Sequence, residues 1–397
     1  MPDVAVDGTV ADGFGRVRDA FVTNLSERHE LGGAVCVVLD GEVVVDLWGG
    51  LRDRATGAPW DADTMTLVHS TTKGLSACVL ALMHSRGLLD HDERVATYWP
   101  EFGRAGKQDI TVRALLAHQA GLFGFDEPVD RDVVADLDRL AGVMERQKPA
   151  WPPGERQAYH AITLGFYENE LVRRLDPAHR TIGRVLTEDI ADPLGVGEEV
   201  YVGTPSSVPD ERLAALVPPS AWARLTGLPL RLAIDAMRRH SVLYRSLVAN
   251  PGTGFYVDPE HVIVRDLEVP SGGAVATARA LATIYGAFAA PGGPLGLRPE
   301  TLEALAAPAA PALRGWQDAC LHRPARFSLG FMKPSDGFAF GSGAAFGAPG
   351  SGGSMGFADP ERRLGYGYVT DRMGTRLQGD PRDLALREAL STVLTRT

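Results

Sequence analysis

The chain has 397 residues and a formal net charge of -10, from 40 Lys and Arg against 50 Asp and Glu. That negative balance excludes nucleic acid as a partner, because a phosphate-binding surface needs a positive field. A hydrophobic fraction of 45% with 23% charged residues is ordinary for a folded protein and excludes disorder as a description of the whole chain.

In chain order, Phe14, Val17, Phe21 and Leu25 recur at helical spacing, so the chain is expected to open with an amphipathic helix. Gly33–Leu39 and Glu42–Trp48 are β-rich runs joined by Asp40-Gly41, a pair that tolerates the positive φ angles of a tight hairpin turn. From Ser70 to about Arg86 the pattern turns helical, with Leu75, Val79, Leu82 and Met83 on one face and Gly87 placed to end it. The stretch from about 90 to 250 reads as helices and loops broken by turns such as Trp151-Pro152-Pro153-Gly154. Strand character returns near Phe327–Phe331 and recurs through Val369, and Asp380-Pro381 starts a last helix with Leu386, Leu390, Val393 and Leu394 as its apolar stripe. Both ends share strand character and the middle does not. An antiparallel sheet drawn from both termini, 1–65 and 270–397, with a mainly helical domain inserted at 66–269, accounts for this as an α+β fold of two domains.

No stretch approaches the roughly 20 uninterrupted apolar residues of a membrane span. The first residues lack the basic segment and apolar run of a secretory signal. Cys36, Cys78 and Cys320 are far apart, without metal-like spacing, so reduced thiols in a cytoplasmic protein are expected. No spacing calls for a metal or another cofactor, and the oligomeric state is not legible.

The central motif is Ser70-Thr71-Thr72-Lys73. A serine hydroxyl is a weak nucleophile until a base takes its proton, and at a helix start a lysine three residues on shares its face. The helix N-terminus adds N–H groups and partial positive charge that favour an oxyanion. To act as a base, Lys73 needs its pKa lowered by burial or nearby positive charge. The motif alone is equally a helix start with a snorkelling lysine. Of the four lysines (Lys73, Lys107, Lys148, Lys333), however, only Lys73 has a serine three positions before it.

A second element is Pro153-Gly154-Glu155-Arg156-Gln157-Ala158-Tyr159-His160, whose tyrosine can share a proton with Lys73 and pass it to a leaving group. Alone, Tyr159 is as readily a packing residue. His160 is read as structural. The third element, Phe346 to Pro360, packs many glycines into a strand-rich zone, either for close backbone approach to a ligand or as a turn. It contains a Gly-x-Ser-x-Gly match, Gly352 to Gly356, that offers Ser354 as a rival nucleophile. A nucleophile elbow needs a helix after the serine, and here another strand, Leu364–Val369, follows the Asp359-Pro360 turn. Ser354 is therefore set aside.

Taken together and in this order, the elements resemble the serine β-lactamase and penicillin-binding-protein superfamily, in the class C β-lactamase-like branch that includes family VIII carboxylesterases. The resemblance runs from Asp46-Leu47-Trp48-Gly49-Gly50 through the Ser-x-x-Lys helix, Leu115–Leu122, the Tyr159 loop and Ala276–Arg279 to the Gly-rich segment and Asp359-Pro360. It implies an α/β domain with a central antiparallel sheet, a helical domain and an active site between them. It further implies Ser70 as the acylated nucleophile, Lys73 as its base and Tyr159 as the second-motif tyrosine. Gly350 takes the third-motif glycine position, and the N–H groups of Ser351 and Ser70 form the oxyanion hole. His118 resembles a recurring family residue and is read as structural.

Two departures bear on substrate. The lactamase Tyr-x-Asn is here Tyr159-His160-Ala161, and the position of the third-motif cation is Ala348. Both losses weaken the fit to β-lactams and leave the Ser-Lys-Tyr machinery whole. The expectation is a serine hydrolase that cleaves small-molecule carboxylic esters through a Ser70 acyl-enzyme. The alternatives are a transacylase using an amine or alcohol acceptor, a β-lactamase, and a catalytically silent binding protein on the same scaffold. The segment 204–269, with Trp222, Leu228, Leu230, Met237, Tyr244 and Phe255, is expected either to shape an acceptor or substrate pocket or to pack as core and lid.

Overall fold

The computed structural model describes residues 5–220, 230–249, 265–376 and 378–395. Strands β2 (Gly32–Leu39) and β3 (Glu42–Asp53) form the hairpin, and Asp40 and Gly41 take φ values of 52° and 86° at its turn. Before helix α1 (Gly15–Glu27) lies a strand the sequence reading missed, β1 (Val6–Val10), antiparallel to the outer side of β3. Five residues on a sheet edge carry too short an alternation to stand out by period. The two-residue strand β4 (Ala58–Pro59) also pairs with β3.

The main sheet is antiparallel and nine-stranded, with the order β1-β3-β2-β12-β11-β10-β9-β8 and β4 off that path. Its C-terminal strands are β8 (Phe327–Ser328), β9 (Phe331–Met332), β10 (Phe346–Pro349), β11 (Met355–Asp359) and β12 (Leu364–Thr370). The two ends of the chain meet where β12 pairs with β2, from Leu364 opposite Leu39 to Thr370 opposite Gly33.

The alternation Gly365-Tyr366-Gly367-Tyr368 explains how helices cover both faces. A Cβ on Gly365 or Gly367 would collide with the backbone of α4 (Ala278–Ala289), so that helix lies directly on the sheet. Tyr366 and Tyr368 point to the other face, where they are fully buried in a cluster with Phe21 of α1 and with Leu386 and Leu390 of α5 (Pro381–Leu394). Asp380 caps α5 by accepting from the Arg382 N–H, and Pro381 occupies its first turn.

The middle of the chain is not free of strands. β6 (Val200–Val202) joins β5 (Thr66–Leu67) and β7 (Ala274–Ala276) in a separate three-stranded sheet. Runs of two or three residues are below what periodicity resolves. This small sheet positions the chemistry, because the Val68 N–H donates to the Ala274 carbonyl at 2.9 Å immediately before Ser70. Helix α2 (Thr72–Ser85) follows, buried on nearly all sides rather than on one stripe, and packs against α3 (Thr163–Leu175). Gly87 (φ 75°) follows its end.

Of the segment 204–269, Trp222, Leu228 and Phe255 lie outside the described residues, and Met237 is 76% exposed beside the half-buried Tyr244. Among the described residues no helix is long and apolar enough to cross a membrane.

Candidate active site

Ser70 sits in a 3-10 turn, His69–Thr71, that runs straight into α2. The preceding His69 has φ 47°. A non-glycine residue in the left-handed region is strained and persists only where its surroundings hold it. The Thr72 hydroxyl supplies part of that hold, donating to the His69 carbonyl at 2.5 Å while accepting from Ala274 N–H at 3.0 Å.

One helical turn on, Lys73 is 3% exposed and its Nζ reaches three oxygens: Ser70 Oγ at 3.3 Å, the Ala161 carbonyl at 2.6 Å and the Ser271 carbonyl at 2.7 Å. A charged ammonium has three N–H donors for these three acceptors. A neutral amine donates to the two carbonyls and is left with its lone pair facing Ser70, whose O–H then donates to it. Burial drives the group toward that neutral form, lowering its pKa from the ordinary lysine value to about 7. The carbonyl cradle is itself fixed: the Ser271 hydroxyl donates to the Ile162 carbonyl at 2.6 Å and accepts from Gly165 N–H at 2.7 Å.

The Tyr159 ring faces the same amine, with its centroid 4.9 Å from Lys73 Nζ. It stacks on Phe327 at 5.7 Å and leans on His118 at 5.0 Å. Its backbone is clamped at both ends, the N–H donating to the buried Asp318 carboxylate and the carbonyl accepting from the Ser246 hydroxyl at 2.8 Å.

Neither histidine is placed for proton transfer. His118 Nδ1 accepts from the His160 N–H at 2.9 Å, and His160 Nε2 accepts from Leu122 N–H at 3.3 Å. Burial holds both neutral, His160 down at about 3 and His118 well below the usual range. One nitrogen of each ring is spent on holding backbone: His118 Nδ1 on His160 in the Tyr159 loop, and His160 Nε2 on Leu122.

The Gly-rich segment closes over Ser70. A Cβ on Gly350 would collide with the Val68 carbonyl, so glycine is what lets this loop pass so close to the Ser70 turn. Gly350 and Ser351 follow β10 directly, and among the described residues neither the Ser351 nor the Ser70 N–H has a backbone acceptor. Ala348 is buried, and a Cβ built on Gly74 of α2 would come within 3.2 Å of its methyl. Ser354 is 4% exposed and donates to the Val68 carbonyl, with β11 rather than a helix after it.

Sequence reasoning missed Ser271, Ser246, Asp318 and Glu168. The first three act through backbone contacts that no motif spacing announces. Glu168, nine residues after Tyr159, is fully buried beside the Lys73 region, and neither carboxylate oxygen has a hydrogen-bond partner among the described residues. An acidic residue two positions before another, Glu170, on a helix gave it the look of surface charge. Among the described residues no group of three or more His, Cys, Asp or Glu is placed to hold a metal ion.

Residues 17–391 match the beta-lactamase family model, and the chain belongs to that family. It is 36% identical over 374 residues to the Esterase/beta-lactamase LipL of Mycobacterium tuberculosis, covering 93% of this chain and 83% of that protein. Among solved structures, a family VIII carboxylesterase superposes with a TM-score of 0.86 at 34% identity, over 98% of this chain and 100% of the other. A penicillin-binding-protein homologue from Caulobacter crescentus gives a TM-score of 0.84, also at 34% identity, over 98% and 100%.

Proposed function

We propose that this chain is a serine carboxylesterase that cleaves small-molecule esters through an acyl-enzyme on Ser70. The observation that carries the reading is the three-way setting of Lys73 Nζ, held by two carbonyls with its remaining position on Ser70 Oγ. The likeness to LipL and to the family VIII carboxylesterase supports ester chemistry in particular.

In this reading neutral Lys73 accepts the Ser70 proton as Oγ attacks the ester carbonyl. The oxyanion is received by the N–H groups of Ser70 and Ser351, each such donor contributing about 3–4 kcal/mol to the transition state. The proton returns through Lys73 and Tyr159 to the departing alcohol. Water then takes the alcohol's place, and the same pair draws its proton as the acyl group leaves Ser70. No step calls for a metal or another cofactor.

β-Lactam hydrolysis is a second reading, favoured by the name of the relative LipL. It is disfavoured by the methyl of Ala348 and by Ala161, which leave a substrate carboxylate without a cation and an amide contact at those positions. The free, buried state of Cys36, Cys78 and Cys320 supports a cytoplasmic setting.

The test is steady-state hydrolysis of p-nitrophenyl acetate and butyrate beside nitrocefin. Ester turnover that disappears in Ser70→Ala, with nitrocefin far slower, is expected. Ester turnover that survives in Ser70→Ala overturns the assignment, and nitrocefin turnover as fast as ester turnover moves the function to β-lactams.

A further inference from the structure

Glu168 is a fully buried carboxyl with no hydrogen-bond partner among the described residues for either oxygen. Such a group is costly to bury. It projects from α3 toward α2 and β9. A Cβ on Gly330, which has φ 86°, would come within 3.1 Å of Glu168 Oε1 and 2.7 Å of the Ala77 Cβ. Ala77 lies one turn beyond Lys73 on α2, so the carboxyl sits against α2 one turn from Lys73, with Gly330 leaving room for it.

The charges around Lys73 are few. From the Tyr159 loop come the Tyr159 ring and His160, from the preceding loop His118, from its own turn His69, and from the 318–322 turn Cys320. Burial holds the three histidines neutral and keeps the Cys320 thiol protonated. Among the described residues, Glu168 is thus the acid that acts most strongly on Lys73 through its charge, and Lys73 the cation that acts on Glu168. Burial alone weakens the amine as a base, the carboxylate restores part of its basicity, and the amine in turn offsets part of the carboxylate's desolvation.

Resting on the assignment of Lys73 as the base for Ser70, we propose that Glu168 is a positioning residue for the reaction, acting from behind Lys73 to keep the buried amine basic enough to take the serine proton. Burial pushes the carboxyl up and the amine down while the charge of each pulls the other back, so the two titrate as a coupled pair.

The chain has only four lysines, so biosynthetic labelling with 13C-lysine gives four sets of side-chain signals. The Lys73 set is the one missing from Lys73→Arg. In Glu168→Gln its titration midpoint should fall, by roughly 1 pH unit for an opposite charge at close range, and the acid limb of kcat/KM should move down with it while the plateau drops several-fold. Glu168→Asp, which keeps the charge, should bring the midpoint back toward that of the parent. Coincident Lys73 midpoints in the parent and Glu168→Gln overturn the proposal. If Glu168→Gln does not fold, the parent alone decides: a Lys73 signal with two coupled inflections supports the pairing, and a single inflection overturns it. The NMR readout needs no turnover, so a failure of the esterase assignment shows in the assays and not in this titration.

Discussion

Ser354 donates its hydroxyl to the Val68 carbonyl at 2.8 Å and meets the Thr71 hydroxyl at 3.2 Å, so the Gly-rich loop is tied to the chain on both sides of Ser70. In this structure Ser354 acts as a strap that fixes the turn carrying Ser70. Ser354→Ala removes two neutral hydrogen bonds, those to the Val68 carbonyl and the Thr71 hydroxyl, while the Val68 carbonyl still accepts from Thr71 N–H. The expected loss is about 1–2 kcal/mol of stability and no more than about tenfold in kcat. Urea unfolding and ester assays of the variant check this, and complete loss of turnover in a folded Ser354→Ala would show that the role is larger.

The pH dependence follows from Lys73. Its pKa, lowered by burial to about 7, makes the neutral amine the majority form only above that pH. Activity should therefore rise through an acid limb near pH 7 and fall about tenfold per unit well below it. A kcat/KM profile flat from pH 5 to 8 would mean that another group takes the serine proton.

His160 offers a contrast, since a histidine beside the tyrosine invites assignment as the titrating base. Its Nε2 already accepts from Leu122 N–H, and burial keeps it neutral down to about pH 3. His160→Gln, which preserves an acceptor, is expected to keep the acid limb where it is and to lower kcat by about tenfold or less. A displaced limb in that variant would assign the proton to His160.

How much of this was legible in the sequence depends on what each residue does. The Asp40-Gly41 hairpin, the α2 start at Ser70 and the Asp380-Pro381 cap follow from local backbone chemistry, and the structure has all three. The antiparallel sheet and the family could be read because their signals recur over the whole chain. β1, β5, β6 and β7 could not, since two to five residues hold too little of an alternating pattern. At the site, Ser70 and Lys73 are three positions apart on one helix and could be paired by spacing. Ser271 and Glu168 reach Lys73 from segments about 200 and 100 residues away, through a carbonyl and a buried charge that only the packed chain brings near.

Arg382 ties the far side of the Gly-rich loop to the rest of the protein. It donates to the Gly352 carbonyl at 3.0 Å, to Asp380 at 2.8 Å and to the fully buried Glu30 at 2.8 Å. Arg382→Met leaves the buried Glu30 without its cation, with only the Tyr368 and Thr370 hydroxyls still donating to it, and frees the loop, for an expected loss of about 3–5 kcal/mol. Denaturant unfolding measures this, and a loss below about 1 kcal/mol would show that Glu30 is satisfied without the arginine.

Intact-protein mass spectrometry after mixing with p-nitrophenyl butyrate, quenched in acid within the first turnovers, tests the Ser70 acyl-enzyme most directly. A butyryl adduct that maps to the peptide carrying Ser70, persists in Ser354→Ala and is absent from Ser70→Ala is the expected result. An adduct on another residue, or none in either protein even with a serine-directed phosphonate probe, would remove Ser70 as the nucleophile and the esterase mechanism with it.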